Sequence, residues 1–359
     1  MAKSPRDIVR EDVQALAPYH VPDSAGLVKL DAMENPYALP TDMQAEVGRL
    51  AARAPLNRYP DPGASALRER LKQAMQVPAG MEILLGNGSD ELIQLLALAT
   101  NRPGAVLLSV EPSFVLYRMV ATFVGMRYVG VPLDERFGLD AQALDAAIDA
   151  QRPALVFLAY PNNPTGNLFD AQIIRRVVER APGLVVVDEA YHAFAGRSFL
   201  PELARYPNLL VMRTLSKLGL AGLRLGMLIG SPDWLVEVDK LRLPYNVNVL
   251  TQQVAHYVLG RAEVLSEQAA SIRLERERLA ALLTGCAGVV AYPSDANFIL
   301  FRVRQAAAVF AGLKARGVLV KKLDGSHPRL VDCLRVTVGT REENERFLTA
   351  LRQTLPQAA

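Results

Sequence analysis

A lysine in this chain is placed where it could carry out covalent chemistry on a carbonyl compound. Lys217 ends the sequence RTLSK, which begins at the last residue of the mostly apolar run 209–213. The Gly-rich segment LGLAGLRLG after Lys217 predicts a loop. An amine whose surroundings lower its pKa can form a Schiff base with a carbonyl cofactor. A solvated surface lysine is the alternative, since lysine side chains are mostly exposed.

A carboxylate also stands next to an apolar run. Asp188 directly follows residues 184–187, where a buried carboxylate is costly unless it meets a cation or a strong donor. A protonated pyridine nitrogen is such a partner, and Tyr191, three residues later, could reach the same ligand. The alternatives are an aspartate that caps the following turn and a packed tyrosine with one satisfied hydroxyl.

The segment YPNNPTG, residues 160–166, holds two asparagine side chains after another apolar run. Its prolines restrict the backbone and its terminal glycine permits a tight turn. An amide at Asn163 could therefore donate to a phenolate oxygen. A rigid turn that uses asparagine for local hydrogen bonds is the alternative.

The sequence GNGSDE, residues 86–91, opens an apolar-periodic helix, ELIQLLALA. Free backbone N–H groups at the start of that helix and the hydroxyl of Ser89 could bind a phosphate. The segment lacks the third glycine of a dinucleotide fingerprint and the lysine of a P-loop, which argues against a nucleotide. A helix capped by Ser89, with acidic residues in its first turn, is the alternative.

These motifs need a scaffold, and the pattern from about residue 64 to residue 230 predicts one. Short apolar runs alternate there with helix-like segments, which is typical of a parallel sheet with crossover helices. We predict strands at 105–110, 155–159, 184–187 and 209–213. Ligands bind beyond the carboxyl ends of such strands, and all four are followed by polar clusters.

The pattern changes beyond residue 250. Residues 255–283 predict one long helix or a helix pair, and strand-like runs at 298–303, 317–320 and 334–338 predict a small α+β domain. The first forty residues lack a core of their own, so we expect them to pack on that domain or on a partner subunit. The expected organisation is an arm at 1–40, a large cofactor-binding α/β domain at 41–250 and a small domain at 251–359.

Composition excludes several classes of protein. Half of the 359 residues are hydrophobic, and the net charge of +3 is evenly spread, which argues against disorder and against nucleic acid or anionic lipid as a partner. Cys286 and Cys333 lie far apart and predict neither a disulfide framework nor a metal site. With no signal peptide and no long apolar segment, a cytoplasmic protein without a membrane partner is expected.

Taken in their order along the chain, these motifs resemble the fold type I pyridoxal-phosphate enzymes, and more narrowly the histidinol-phosphate aminotransferase family. The similarity runs over almost the whole chain. The segments that carry it are LDAMENPY, NRYPD, GNGSDE, YPNNPTG, VVVDEAY, RTLSKLGLAGLRLG, ANFILFR and LRVTVGTREEN. The resemblance implies a mainly parallel α/β sheet with flanking helices, a smaller α+β domain, and pyridoxal 5′-phosphate as cofactor.

The resemblance also implies a role for each candidate residue. Lys217 would form a Schiff base with the cofactor and carry the proton between the substrate Cα and C4′ of the cofactor. Asp188 would keep the pyridine nitrogen protonated. Asn163 and Tyr191 would hydrogen-bond the phenolate oxygen, and Phe114 would stack on the ring, where relatives often have tyrosine or tryptophan.

The cofactor phosphate would be bound by groups from several segments, namely the backbone at Ser89 and Asp90 and the side chains of Thr214, Ser216 and Arg224. Arg224 lies seven residues after Lys217, where many relatives have eight, so this loop is one residue shorter. Tyr59, in NRYPD, would reach the phosphate of the other subunit's cofactor. The resemblance therefore implies a homodimer with shared active sites.

Arg335, in LRVTVG, would bind the anionic group of a small-molecule substrate, because arginine offers a planar fork for phosphate or carboxylate. A strand-end arginine paired with a nearby acid is the alternative. Asn163 and Tyr19 are further substrate-binding candidates. The implied reaction is transamination of L-histidinol phosphate with 2-oxoglutarate in histidine biosynthesis. An aromatic amino acid aminotransferase and a decarboxylase of a phosphorylated amino acid are alternatives, and a non-enzymatic cofactor-binding regulator ranks last.

Overall fold

The computed structural model describes residues 4–18 and 21–355, and two β-sheets organise this part of the chain. Numbered in chain order, the strands are β1 Val28–Leu30, β2 Glu82–Gly86, β3 Val106–Glu111, β4 Arg127–Pro132, β5 Leu155–Ala159, β6 Leu184–Asp188, β7 Leu209–Thr214, β8 Gly226–Gly230, β9 Val289–Ala291, β10 Phe298–Val303, β11 Val318–Lys322 and β12 Cys333–Thr337. The helices are α1 Pro5–Ile8, α2 Glu11–Gln14, α3 Thr41–Arg53, α4 Ser65–Ala74, α5 Ser89–Thr100, α6 Leu116–Val124, α7 Ala141–Gln151, α8 Ala171–Arg180, α9 His192–Ala195, α10 Pro232–Asp239, α11 Val249–Leu259, α12 Ala262–Thr284, α13 Ala306–Ala315 and α14 Arg341–Thr354.

The larger sheet has seven strands in the order β2-β8-β7-β6-β5-β3-β4. Strand β8 runs antiparallel to its neighbours, and the other strands are parallel to one another. The four predicted strands are confirmed as β3, β5, β6 and β7, each within one residue at either end. Asp188 and Thr214 are therefore the last residues of their strands rather than the first residues beyond them.

Both faces of this sheet are covered, as the unbroken apolar runs predict. Every residue of β5, β6, β7 and β8 is buried, and apolar clusters pack on each side of the sheet. Helix α8 illustrates how its sequence suits this position. It buries Ile174, Val177 and Val178, which recur at helical spacing, while Arg175 and Arg176 lie on its outer side.

The smaller sheet has five strands in the order β1-β11-β12-β10-β9 and its own apolar core. The predicted strand runs are confirmed as β10, β11 and β12, with α13 between the first two. The long helical pattern is a pair, because α11 ends at Leu259 and α12 begins at Ala262.

The N-terminal segment contacts the smaller sheet and also a helix that packs on the larger sheet. Strand β1 pairs in parallel with β11, whereas the Arg10 guanidinium donates to the carbonyl oxygens of Thr122 and Phe123 at the end of α6. The contact with α6 was not anticipated, and the proposed division of the chain at residues 40 and 250 stays a prediction. Within residues 4–18 and 21–355, no helix is both long enough and apolar enough to cross a bilayer.

Candidate active site

A cavity of about 330 Å³ opens at the carboxyl ends of β5, β6 and β7, facing β11 and β12 of the smaller sheet. Most of the candidate residues line it together, as expected for ligand sites in open α/β sheets. The candidates along its wall are Ser89, Asp90, Phe114, Asn163, Asp188, Tyr191, Thr214, Ser216, Lys217, Arg224 and Arg335. Tyr59 is not among the lining residues, and Tyr19 lies outside the described part of the chain.

Lys217 projects into this cavity from a short irregular helical turn, Ser216–Leu220, that follows β7. The prediction of a loop was wrong here, because a helical turn begins two residues after β7 ends. Within this turn only Gly219, with φ of 132°, departs from helical geometry. The Lys217 Nζ donates to the carbonyl oxygen of Ala32 at 3.0 Å. Burial lowers the pKa of Lys217 to about 8, and the positive charge of Arg335 acts in the same direction. The amine is thus partly neutral near physiological pH.

Asp188 presents a buried carboxylate at the end of β6. Its Oδ2 accepts a hydrogen bond from the Tyr117 hydroxyl at 2.7 Å, and its Oδ1 accepts one from the Ala190 N–H at 3.0 Å. Burial raises the pKa of Asp188 to about 6 despite these two bonds. Among the described residues it forms no ion pair, so a cationic ligand atom in the cavity would relieve its desolvation.

Tyr117 is a residue that the sequence motifs did not identify. It is fully buried in α6, and its ring stacks on Phe157 with centroids 4.7 Å apart and planes 4° apart. This packing holds the hydroxyl that donates to Asp188. Phe114, one helical turn earlier, meets the Tyr117 ring edge-on at 5.5 Å. That spacing of two aromatic residues after β3 was the available signal.

The two asparagines of YPNNPTG have different roles: one makes hydrogen bonds within the turn, and the other faces the cavity. Asn162 is locked into the turn, with its amide donating to the Pro112 carbonyl and the Thr165 hydroxyl. Asn163 faces the cavity instead, and its Oδ1 accepts a hydrogen bond from Arg335. With Oδ1 engaged in this way, the Nδ2 group is the donor available to a ligand.

Arg335 lies on β12 and is 5% exposed. Besides Asn163, its guanidinium donates to the Asp31 carbonyl oxygen at 3.0 Å and lies 5.1 Å from the centroid of the Phe298 ring. Phe298 also meets Tyr191 edge-on at 5.2 Å, and the Tyr191 hydroxyl contacts the Met33 sulfur at 3.6 Å. The smaller sheet and the segment after β1 thus orient the groups that face the larger sheet.

Lys321 is a second lysine on the cavity wall that the motifs did not single out. It pairs in register with Arg335 across β11 and β12, so both side chains stand on the same side of the smaller sheet. Burial lowers the pKa of Lys321, and the charge of Arg335 lowers it further. This side of the cavity therefore carries two cationic side chains, which suits an anionic substrate group.

Close packing shapes the start of α5. Gly88, with φ of +86°, is the N-cap residue before Ser89. Among the described residues no side chain caps this helix, so its first N–H groups can bind a ligand. A Cβ on Gly226 of β8 would lie 2.5 Å from the Gly88 carbonyl carbon and from the Ser89 nitrogen. Only glycine permits β8 to approach the helix start this closely.

Arg224 reaches this helix start despite the shorter loop. Its backbone takes a left-handed conformation with φ of 50°, and its guanidinium donates to the Ser216 hydroxyl at 3.3 Å and to Asp90 Oδ2 at 3.4 Å. The Thr214 hydroxyl donates to the Ser216 hydroxyl at 2.9 Å. Backbone donors, two hydroxyls and a guanidinium converge here, which is the donor set of a phosphate site.

Tyr59 lies apart from the cavity and is 79% exposed. Its ring stacks on that of Tyr245 at 4.3 Å, and the nearby sequence positions Leu56 and Leu243 are also exposed. Apart from this stacking, the part of the chain that the structure describes leaves the Tyr59 side chain largely exposed. Its predicted contact with a partner subunit's cofactor stays a prediction.

Comparison with known proteins adds to this geometry. The sequence profile described as "Aminotransferase class I and II" matches residues 25–351. Histidinol-phosphate aminotransferase 2 of Cupriavidus pinatubonensis is 55% identical over 353 residues, covering 97% of this chain and 96% of that protein. Histidinol-phosphate aminotransferase 1 of Burkholderia lata is 52% identical over 354 residues, with coverages of 98% and 99%. The crystal structure of the Sinorhizobium meliloti histidinol-phosphate aminotransferase with pyridoxal 5′-phosphate superposes with a TM-score of 0.85 at 24% identity, covering 97% of each chain.

Proposed function

Because this chain belongs to the aminotransferase class I and II family, we propose that it catalyses the transamination of L-histidinol phosphate with 2-oxoglutarate in histidine biosynthesis. Relatives with that name are more than half identical over nearly their full length. The observation that carries the proposal is the placement of the Lys217 amine and the Asp188 carboxylate in one cavity, next to a phosphate-type donor set.

The cavity residues fit pyridoxal 5′-phosphate. Asp188 is a buried carboxylate without an ion pair among the described residues, which suits a protonated pyridine nitrogen. Asn163 and Tyr191 would donate to the phenolate oxygen, and Phe114 would cover the ring. The phosphate would be bound by Ser89, Asp90, Thr214, Ser216 and Arg224. When bound, this cofactor supplies a ring system that accepts the electron pair left on the substrate Cα after proton loss.

The protein's own groups then perform the proton transfer and the positioning. The Lys217 Nζ, when neutral, would take the proton from the substrate Cα and hold it within the site for the second proton transfer. The Ala32 carbonyl orients this amine, and Tyr117 orients Asp188. Both sheets contribute walls to this cavity, and the Asp188 side chain is buried in it.

Arg335 and Lys321 would bind the anionic end of each substrate in turn, the phosphate of L-histidinol phosphate and the carboxylate of 2-oxoglutarate.

Turnover of L-histidinol phosphate with 2-oxoglutarate by the purified protein tests the proposed function directly. Phenylalanine with 2-oxoglutarate, and threonine phosphate assayed for carbon dioxide release, are the matched alternatives. Faster turnover of either alternative would contradict the proposed substrate.

The uptake of pyridoxal 5′-phosphate by the apoprotein is expected to accelerate about tenfold between pH 7 and pH 9, because only neutral Lys217 is nucleophilic and its pKa is about 8. Stopped-flow absorbance after mixing measures this rate. In Arg335→Gln the midpoint is expected to move to higher pH, since the charge of Arg335 lowers the pKa of Lys217. A midpoint near 10.5, the ordinary value for lysine, would contradict this prediction.

We also propose that the protein acts in the cytoplasm as a homodimer, with Tyr59 contacting the cofactor phosphate bound to the partner subunit. The exposure of Tyr59 and its apolar surroundings supports this assembly. Tyr59→Phe alone is expected to weaken cofactor binding, because one hydrogen bond to the phosphate is lost.

Mixing subunits tests the shared site. A heterodimer of Tyr59→Phe and Lys217→Ala subunits has one site with both changes and one with neither. At a cofactor concentration that leaves Tyr59→Phe largely unsaturated, activity above that of either parent is therefore expected. Lys217→Ala mixed with Asp188→Asn is the control, since both residues of a site come from one chain and no intact site forms. Absence of recovery in the first mixture, although the subunits exchange, would refute the shared site.

A further inference from the structure

A second cavity, of about 230 Å³, lies between α8 and the segment that follows α9. It shares no lining residue with the active-site cavity. The side chains that matter on its wall are Tyr160, Arg175, Arg197, Ser198 and Glu202. Tyr160 opens the YPNNPTG segment, but the proposed reaction uses none of these five residues.

Tyr160 is the buried polar residue of this cavity. It is only 2% exposed, and its ring meets Phe199 edge-on at 5.2 Å. Within the described residues, its hydroxyl has no hydrogen-bond partner. The residue lines the cavity, so its hydroxyl is available to donate to a ligand atom bound there.

The cavity wall itself carries two arginines and one glutamate, and the carboxylates of Glu189 and Asp295 also act on the Tyr160 hydroxyl. Arg197 is exposed and forms no ion pair with any residue that the structure describes. Arg175 donates from Nε and Nη2 to a single oxygen of Glu202, at 3.0 and 2.8 Å. Two guanidinium groups therefore face one carboxylate on the cavity wall, which leaves a net positive charge.

We propose that this cavity binds a small oxyanion, the phosphate or carboxylate group of a metabolite. Arg197 supplies an unpaired planar fork, Tyr160 an unpaired hydroxyl donor, and Arg175 the remaining N–H groups that Glu202 does not use. Charge-assisted hydrogen bonds of this kind are the strong ones in proteins. The site does not depend on the proposed reaction.

The cavity wall is connected to the cofactor side of the sheet. The Ser198 hydroxyl donates to Glu189 Oε2 at 2.9 Å, and the backbone N–H of Tyr160 donates to the carbonyl oxygen of Asp188 at 2.8 Å. Glu189 is the residue after Asp188 and also holds Arg213 in a buried ion pair. An anion in this cavity thus contacts two residues that bond directly to the Asp188–Glu189 segment.

Isothermal titration of the holoenzyme with inorganic phosphate, and separately with malonate, tests the site. Arg197→Gln and Tyr160→Phe are each expected to weaken one binding event about tenfold or more, and to leave any binding at the active site as it is. Arg136→Gln, which changes another exposed arginine, is the control and is expected to bind as the wild type does. A stronger loss with phosphate than with malonate assigns the site to phosphate groups, and the reverse assigns it to carboxylates.

Arg197 is at the surface, so its replacement keeps the test valid even if Tyr160→Phe were to disturb folding. Unchanged number and affinity of bound anions in Arg197→Gln would overturn the proposal. Binding of neither anion outside the active site would overturn it equally. Because the readout is binding, loss of the proposed transamination activity would leave this result interpretable on its own.

Discussion

Replacement of Lys217 by alanine is expected to remove the visible absorbance of the purified protein and to reduce turnover on the order of 10⁴-fold or more, because one amine serves as both nucleophile and proton carrier. The structure places its Nζ in the cavity, held by the Ala32 carbonyl, with a pKa of about 8. Methyl replacement leaves no group that can take either role. Absorbance spectra and single-turnover kinetics of the variant measure the two losses separately.

Lys321→Ala provides the matched control for this prediction. Lys321 is also a partly buried lysine on the cavity wall, but it faces the proposed substrate end next to Arg335. Its replacement is expected to raise KM while the visible absorbance persists. If Lys217→Ala kept both its absorbance and its rate, or if Lys321→Ala lost the absorbance instead, the assignment of Lys217 would be wrong.

Asp188→Asn is expected to slow the proton-transfer step by about 10² to 10³-fold, because a neutral amide cannot keep the ring nitrogen protonated. The carboxylate is buried, and the hydroxyl of Tyr117 and the N–H of Ala190 already orient it. The loss should therefore reflect charge rather than position. A primary deuterium isotope effect at the substrate Cα, measured in single turnovers, reports on this step.

The stability of the apoprotein provides the control for Asp188→Asn. Burial raises the pKa of Asp188 from 3.8 to about 6, so the folded apoprotein holds this proton more tightly than the unfolded chain does. The contribution of Asp188 to stability consequently falls as pH rises from about 4 to 6, and its buried anion is a cost above that range. At pH 8 the Asp188→Asn apoprotein is expected to melt no lower than the wild type. Wild-type single-turnover rates in this variant would show that the charge is dispensable.

The sequence predicted the strands that position the site because their signal is local. Residues 155–159 are apolar throughout, and burial on both faces of a parallel sheet demands this of each strand separately. The start of α5 after Gly88 was likewise readable from the motif and the apolar period that follows it. The turn that carries Lys217 was predicted less well, since its glycines suggested a loop and only one of them departs from helical geometry there.

By itself, the sequence determined the family and the cofactor through its resemblance to known enzymes. It also identified the candidate residues and the strands before them, because motifs and burial patterns act over short stretches of chain. Only the tertiary structure decided which side chains orient them. Tyr117 meets Asp188 across 71 positions, Asn163 meets Arg335 across 172, and Lys217 meets Ala32 across 185. Such contacts depend on how the two sheets pack around one cavity. Local sequence propensities do not encode contacts between residues this far apart in the chain. The same holds for the hydroxyl of Tyr160, whose place on the wall of the second cavity, without a hydrogen-bond partner among residues 4–18 and 21–355, follows only from tertiary packing.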